Sequence, residues 1–138
     1  MEKIYALKTI FILCILICAS VTDFKKREVP YKYISFITLS ALIDFRAENM
    51  LGIILSVPFY FARKDGRFMG GGDVMIVAAL GVALGLNKTT VTVWLGCIIF
   101  ITAGCICEKM RGKGKLLFPF VPALTVGYIM TTLLEVLT

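Results

Sequence analysis

Six apolar stretches separated by short charged loops take up most of this 138-residue chain, and no soluble fold accommodates such a pattern. They run from Ile4 to Thr22, Tyr33 to Ile43, Asn49 to Ala62, Val74 to Leu86, Thr89 to Cys107 and Leu116 to Leu134. A soluble domain carries about a quarter of its residues as charges; here 17% are charged and 59% are hydrophobic. A chain this short has too little interior for that much apolar surface, so the stretches must face lipid. The same numbers exclude disorder. The pattern predicts an all-α, polytopic integral membrane bundle of about six transmembrane helices, forming one domain over residues 1–138.

The fifth and sixth stretches hold 19 uncharged residues each, enough to cross a hydrocarbon core of about 30 Å. The middle three hold only 11, 14 and 13 residues. At ~1.5 Å per residue they reach ~17–21 Å, so flanking residues extend them, the bilayer thins around them, or they re-enter. The first stretch, with Glu2 and Lys3 ahead of a run ending near Ala19 and Ser20, also has the outline of a signal peptide. Nothing after it resembles an exported soluble domain, and Cys18 follows Ile17 rather than the small residue a lipobox requires.

Eleven of the fifteen Lys and Arg fall in the loops after the first, third and fifth stretches: Lys25, Lys26, Arg27, Lys32; Arg63, Lys64, Arg67; Lys109, Arg111, Lys113, Lys115. By the positive-inside rule those loops are cytoplasmic and both termini lie outside. With the five acids on that side the cytoplasmic face carries the whole net charge of +6. The charge is therefore a topology signal that also favours anionic lipid headgroups, and it requires no nucleic acid. Five cysteines, at 14, 18, 97, 105 and 107, all lie in apolar stretches without a Cys-x-x-Cys pair, which reads as packing rather than disulfides or zinc. Trp94 suits an interfacial belt, and Gly81, Gly85 and Gly96 read as close-packing positions between helices.

The chain has no histidine, which removes Ser-His-Asp and Cys-His chemistry and His-ligated metals. Carboxylates remain. Asp23 closes the first stretch and Asp73 opens the fourth, so the charge count alone brings both to the same cytoplasmic membrane edge. Taken singly, Asp73 also reads as a helix N-cap and Asp23 as a solvated interfacial charge. Together, two carboxylates can share one proton: one abstracts a proton from water while the other donates to a carbonyl oxygen or leaving amine. Peptide hydrolysis then needs no metal or cofactor. Gly70, Gly71 and Gly72 ahead of Asp73 allow positive φ and close backbone approach, leaving room for an extended substrate strand. No Gly-Lys-Ser/Thr follows, which argues against a phosphate-binding loop.

Three segments carry a resemblance. TDFKKREVPYKY, with Pro30 seven residues after Asp23, resembles the first motif of the type IV prepilin peptidases, the GxGD-type membrane aspartyl peptidases. FMGGGDVMIVAALG resembles their second motif, and LLFPFVPALTVGY, with Pro119 and Pro122, their C-terminal Pro-Phe-x-Pro segment. The resemblance implies that Asp23 and Asp73 are catalytic, and that Gly70, Gly71, Gly72, Pro30, Pro119 and Pro122 bind substrate or shape the motifs. It implies a prokaryotic cytoplasmic membrane enzyme whose partner, besides the bilayer, is a prepilin or pseudopilin precursor: a basic leader, then a hydrophobic helix. Since the chain opens on the first core span, without the Cys-x-x-Cys region of bifunctional members, the resemblance implies peptidase activity without N-methyltransferase activity. Tyr31 stands where that family usually has Asn, and Met75 where a Lys often stands.

Two other classes compete. A proton- or cation-coupled transporter would use the aspartates as a relay and hold them near mid-membrane. A non-catalytic scaffold of a pilus or secretion machine would tolerate their replacement. A variant of the peptidase reading sets a divalent cation between the carboxylates, which chelator resistance would exclude. Within the peptidase reading, Asp73 at a helix N-terminus is expected to be the ionised, water-activating member. Asp23 at a helix C-terminus is expected to carry the proton.

Overall fold

The computed structural model describes residues 1–64, 70–111 and 118–138. Helix α1 spans Glu2–Lys26, α2 Tyr31–Ser40, α3 Ser56–Lys64, α4 Gly71–Leu84, α5 Leu86–Arg111 and α6 Phe120–Leu137. Two 3-10 segments, Ala41–Asp44 and Ala47–Leu55, join α2 to α3. Among the described residues there is no strand. Helices α1, α5 and α6 are each long and apolar enough to cross a membrane, while α4 is apolar and shorter, at 14 residues.

The short third stretch has a physical answer. Pro58 lies in the first turn of α3, and proline there cannot donate back into a preceding α-turn. The nine residues before α3 wind instead as a 3-10 helix, which rises ~2.0 Å per residue. Ala47 to Lys64 thereby gains a combined length of ~30 Å, close to a hydrocarbon core. The 3-10 segment owes its seat to Gly52, which packs on Gly81 of α4 so closely that a Cβ on either would run into the other's backbone.

The interior is built from fully buried Ile12, Leu16, Ile37, Ile76, Leu80, Leu124 and Tyr128. Leu7, Ile10, Ile17, Leu39, Ile54, Ile98, Ile101 and Leu133 face outward and are exposed, as is Trp94. So extensive an apolar outer surface belongs in lipid rather than water. Small residues and hydroxyls hold the helices together, as expected where lipid removes the hydrophobic drive between them. Gly96 of α5 meets Gly127 and Leu124 of α6. Ser20 and Thr125 share a 2.7 Å hydrogen bond between α1 and α6, and Thr92 donates to Thr131 at 3.2 Å between α5 and α6. The cysteines are free; Cys14, Cys18 and Cys105 are exposed on the outer surface and Cys97 and Cys107 are half-buried.

Candidate functional site

Three helix starts and two helix ends converge on the site. Helix α1 stops one turn after Asp23: Arg27 takes a left-handed conformation, φ 53°, and its N–H donates to the Asp23 carbonyl at 2.9 Å. Pro30 then caps α2 in extended geometry, φ −62°, ψ 138°, and delivers Tyr31 to the site. Pro119 caps α6 in the same way, φ −65°, ψ 136°. Pro122 occupies the third helical position of α6, where the missing N–H would have had no partner within the helix. Phe120 locks that helix start in place, with ring centroids 5.8 Å from Phe59 of α3 and 5.5 Å from Phe100 of α5.

Asp23 and Asp73 line one cavity of about 790 Å³. Gly70, Gly71, Gly72 and Pro119 line it too, whereas Pro30 and Pro122 lie outside its wall and act on it by starting α2 and α6. Asp23 is buried, and its Oδ2 accepts a 3.4 Å hydrogen bond from the Val121 N–H. Asp73 is half-buried, and its Oδ2 accepts the Gly70 N–H at 3.1 Å, closing the first turn of its own helix. Asp73 sits just ahead of the apolar span that opens at Val74. Burial, and after it the nearby charge of Asp23, push the Asp73 carboxyl up to about 6 against the opposing pull of the Gly70 N–H. The pair has the makings of a shared-proton site: two carboxyls, each held by a backbone N–H, facing one open space, with the charge of Asp23 raising Asp73.

The family follows from a comparison with known sequences. A model described as the type IV leader peptidase family matches residues 10–105. The chain belongs to that family. The matched residues include Asp23 and the run Gly70 to Asp73, and they stop short of Pro119 and Pro122. A prepilin leader peptidase/N-methyltransferase from Neisseria gonorrhoeae is 37% identical over 85 residues, which is 61% of this chain and 28% of that relative. The match thus spans little more than a quarter of the relative's length. No solved structure matches the chain.

Three sequence expectations change. None of the three glycines has positive φ, and close approach is needed at Gly71 and Gly72 but not at Gly70, which has φ −78° and room for a Cβ; among the described residues the only glycine with positive φ is Gly85. What Gly71 and Gly72 admit is neighbours. A Cβ on Gly72 would stand 2.9 Å from the Val29 Cβ, and one on Gly71 3.0 Å from the Arg63 guanidinium. Gly85 likewise differs from Gly81, since it ends α4 with φ 83° against the Asn49 side chain instead of packing two helices. The expected helix-end contrast between the aspartates also disappears, because Asp23, at the end of α1, is met by the start of α6. Sequence reading missed that contact, for which a backbone N–H leaves no signal. It also missed Tyr60 and Arg63 as cavity residues; Arg63 had counted only toward topology.

Proposed function

We propose that this chain is a membrane aspartic endopeptidase that removes the leader peptide from type IV prepilin-like precursors at the cytoplasmic membrane face. The observation that carries the reading is the shared cavity of Asp23 and Asp73, in a chain of the type IV leader peptidase family. One carboxylate takes a proton from water, the hydroxide attacks the scissile carbonyl, and the other carboxyl gives its proton to the carbonyl oxygen. Collapse of the tetrahedral adduct returns a proton to the leaving amine. Burial raises both carboxyls, and the charge of Asp23 helps push Asp73 to about 6, so in the free protein we take Asp73 as the proton carrier and Asp23 as the water-activating partner, the reverse of the assignment expected from helix ends.

Both carboxylates stand at helix ends, Asp23 within the last turn of α1 and Asp73 in the first turn of α4. That favours chemistry at a membrane edge over a mid-membrane ion relay. The Lys and Arg count puts this edge on the cytoplasmic side and both termini outside. We further propose cleavage without methyl transfer as the activity of these 138 residues, which contain no Cys-x-x-Cys pair. The substrate class, a prepilin or pseudopilin with a hydrophobic helix after its leader, comes from the family.

The deciding experiment mixes the purified chain in detergent with a prepilin precursor and follows the shift to the mature form on a gel. Asp23→Asn and Asp73→Asn should each leave less than a few per cent of the wild-type rate, with membrane insertion intact and with the wild type indifferent to chelator. An aspartate whose Asn variant keeps a substantial rate is not part of the machinery, and retention by both would leave the scaffold reading standing.

A further inference from the structure

We infer that Arg63 is a substrate-positioning residue, holding a main-chain carbonyl oxygen of the bound strand beside the scissile peptide. The inference rests on the peptidase reading and adds to it a group outside the motif residues. Arg63 ends α3 and lines the same cavity as Asp23 and Asp73. A Cβ added to Gly71 would stand 3.0 Å from the Arg63 Cζ, 3.0 Å from Nη1 and 3.1 Å from Nη2. Near-equal distances to three atoms of one plane put that position over the face of the guanidinium. The group therefore lies face-on to the place a side chain at residue 71 would begin, close enough that a Cβ there would press on it.

A guanidinium donates only in its own plane. Stacked face-on to Gly71, it turns its N–H groups along the cavity wall and not into α4. Nor does its charge serve the helix it touches, since a cation beside a helix N-terminus opposes the macrodipole. What the placement suits is an oxygen acceptor passing along the wall. Gly71 lies two residues before Asp73, so a strand whose scissile bond meets the carboxylates also passes Arg63. An extended strand offers a carbonyl at every residue whatever its side chains, which is why the acceptor is assigned to the main chain.

The test compares Arg63→Ala, Gly71→Ala and the double variant in detergent, on full-length precursors. Arg63→Ala deletes the guanidinium, while Gly71→Ala keeps it and shifts it by a few tenths of an ångström. Arg63→Ala should raise KM and lower kcat/KM by about 10- to 100-fold, the range expected when a charged hydrogen-bonding group is lost, with kcat changed little, and Gly71→Ala should move KM the same way by less. The double variant should be no worse than the poorer single one, and Arg63→Lys should recover only part of the loss. The pH profile should keep its wild-type shape, because the aspartates are untouched. A wild-type KM in Arg63→Ala, or a double loss equal to the product of the single losses, overturns the inference. So does a loss confined to precursors with an acidic residue near the cleavage point, which would make the acceptor a side-chain carboxylate. Wild-type protein that cleaves no precursor, or Asp73→Asn that cleaves normally, overturns the peptidase reading and Arg63's role with it. Cleavage that passes those controls yet ignores Arg63 overturns this inference alone.

Discussion

The carboxylate of Asp23 is held by the backbone N–H of Val121, 98 residues further along the chain, at 3.4 Å. Asp23 thus ends one helix and caps the start of another. The first N–H groups of α6 have no partners within their own helix, so the site gains a donor no side-chain motif records. Phe120, wedged against Phe59 and Phe100, keeps that donor in register, which links packing between α3, α5 and α6 to the state of a carboxylate on α1.

Removing the donor should therefore matter more than removing the side chain. Val121→Ala keeps the N–H and creates a small cavity, since Val121 is fully buried. It should lower stability while leaving kcat near wild type. Val121→Pro deletes the N–H, and hydrogen bonds to charged groups contribute about 1.5–3 kcal/mol, so kcat/KM should fall by about tenfold or more relative to the alanine variant. Leader-cleavage kinetics on the two variants side by side decide this; equal kcat/KM values would show that the contact does not support the site.

A second pair of substitutions tests the close packing. Gly81→Ala places a methyl in the Gly52 backbone, and backbone cannot rotate away as a side chain can. Overpacking of this kind costs about 1–3 kcal/mol. Gly104, in mid-α5, has nothing within 4 Å of an added Cβ, so Gly104→Ala should be neutral or gain about 0.5–1 kcal/mol through helix propensity. Thermal unfolding in one detergent should rank them Gly104→Ala, wild type, Gly81→Ala. The reverse order would mean α4 and the 3-10 segment can separate freely.

The sequence was most legible where charge and hydropathy carry the information. The helical membrane fold and six helical regions follow from apolar runs, and the arrival of Asp23 and Asp73 in one cavity follows from counting Lys and Arg. The kind of winding was less legible: the third stretch is half 3-10, because Pro58 and the Gly52–Gly81 contact act through backbone geometry that hydropathy does not encode. The cavity wall was least legible. Arg63 looks like any cytoplasmic-loop cation until α3 lays it on Gly71, and Val121 looks like a core valine until its N–H is found at Asp23. The expectation for Lys113 and the neighbouring basic loop falls outside the described residues.

The topology can be checked on a background with all five cysteines replaced. Single cysteines at Lys26, Lys64 and Lys113 should be protected from an impermeant thiol reagent added outside intact cells, while those at Glu48 and Asn87 should react. These positions alternate along the chain in step with the charge count. Outside labelling at 64 would separate α3's end from the cytoplasmic face and undo the argument that unites Asp23 with Asp73.

Asp73 gives the site a pH signature in both stability and rate. Its carboxyl is raised to about 6 by burial and by Asp23, while an unfolded chain binds that proton only near 3.9. The folded state thus holds the proton more tightly. The cost of keeping Asp73 charged is fully present above about pH 6, shrinks as pH falls through that value, and is gone below about pH 4. Asp73→Asn should accordingly raise the unfolding temperature at pH 8 and lose that advantage by pH 4. The catalytic pair works with one proton between its members, so kcat/KM for the free protein should fall as pH rises through about 6. An asparagine variant no more stable than wild type at pH 8, together with a wild-type kcat/KM flat across pH 5–8, would show that Asp73 is ionised throughout and would return the water-activating role to it.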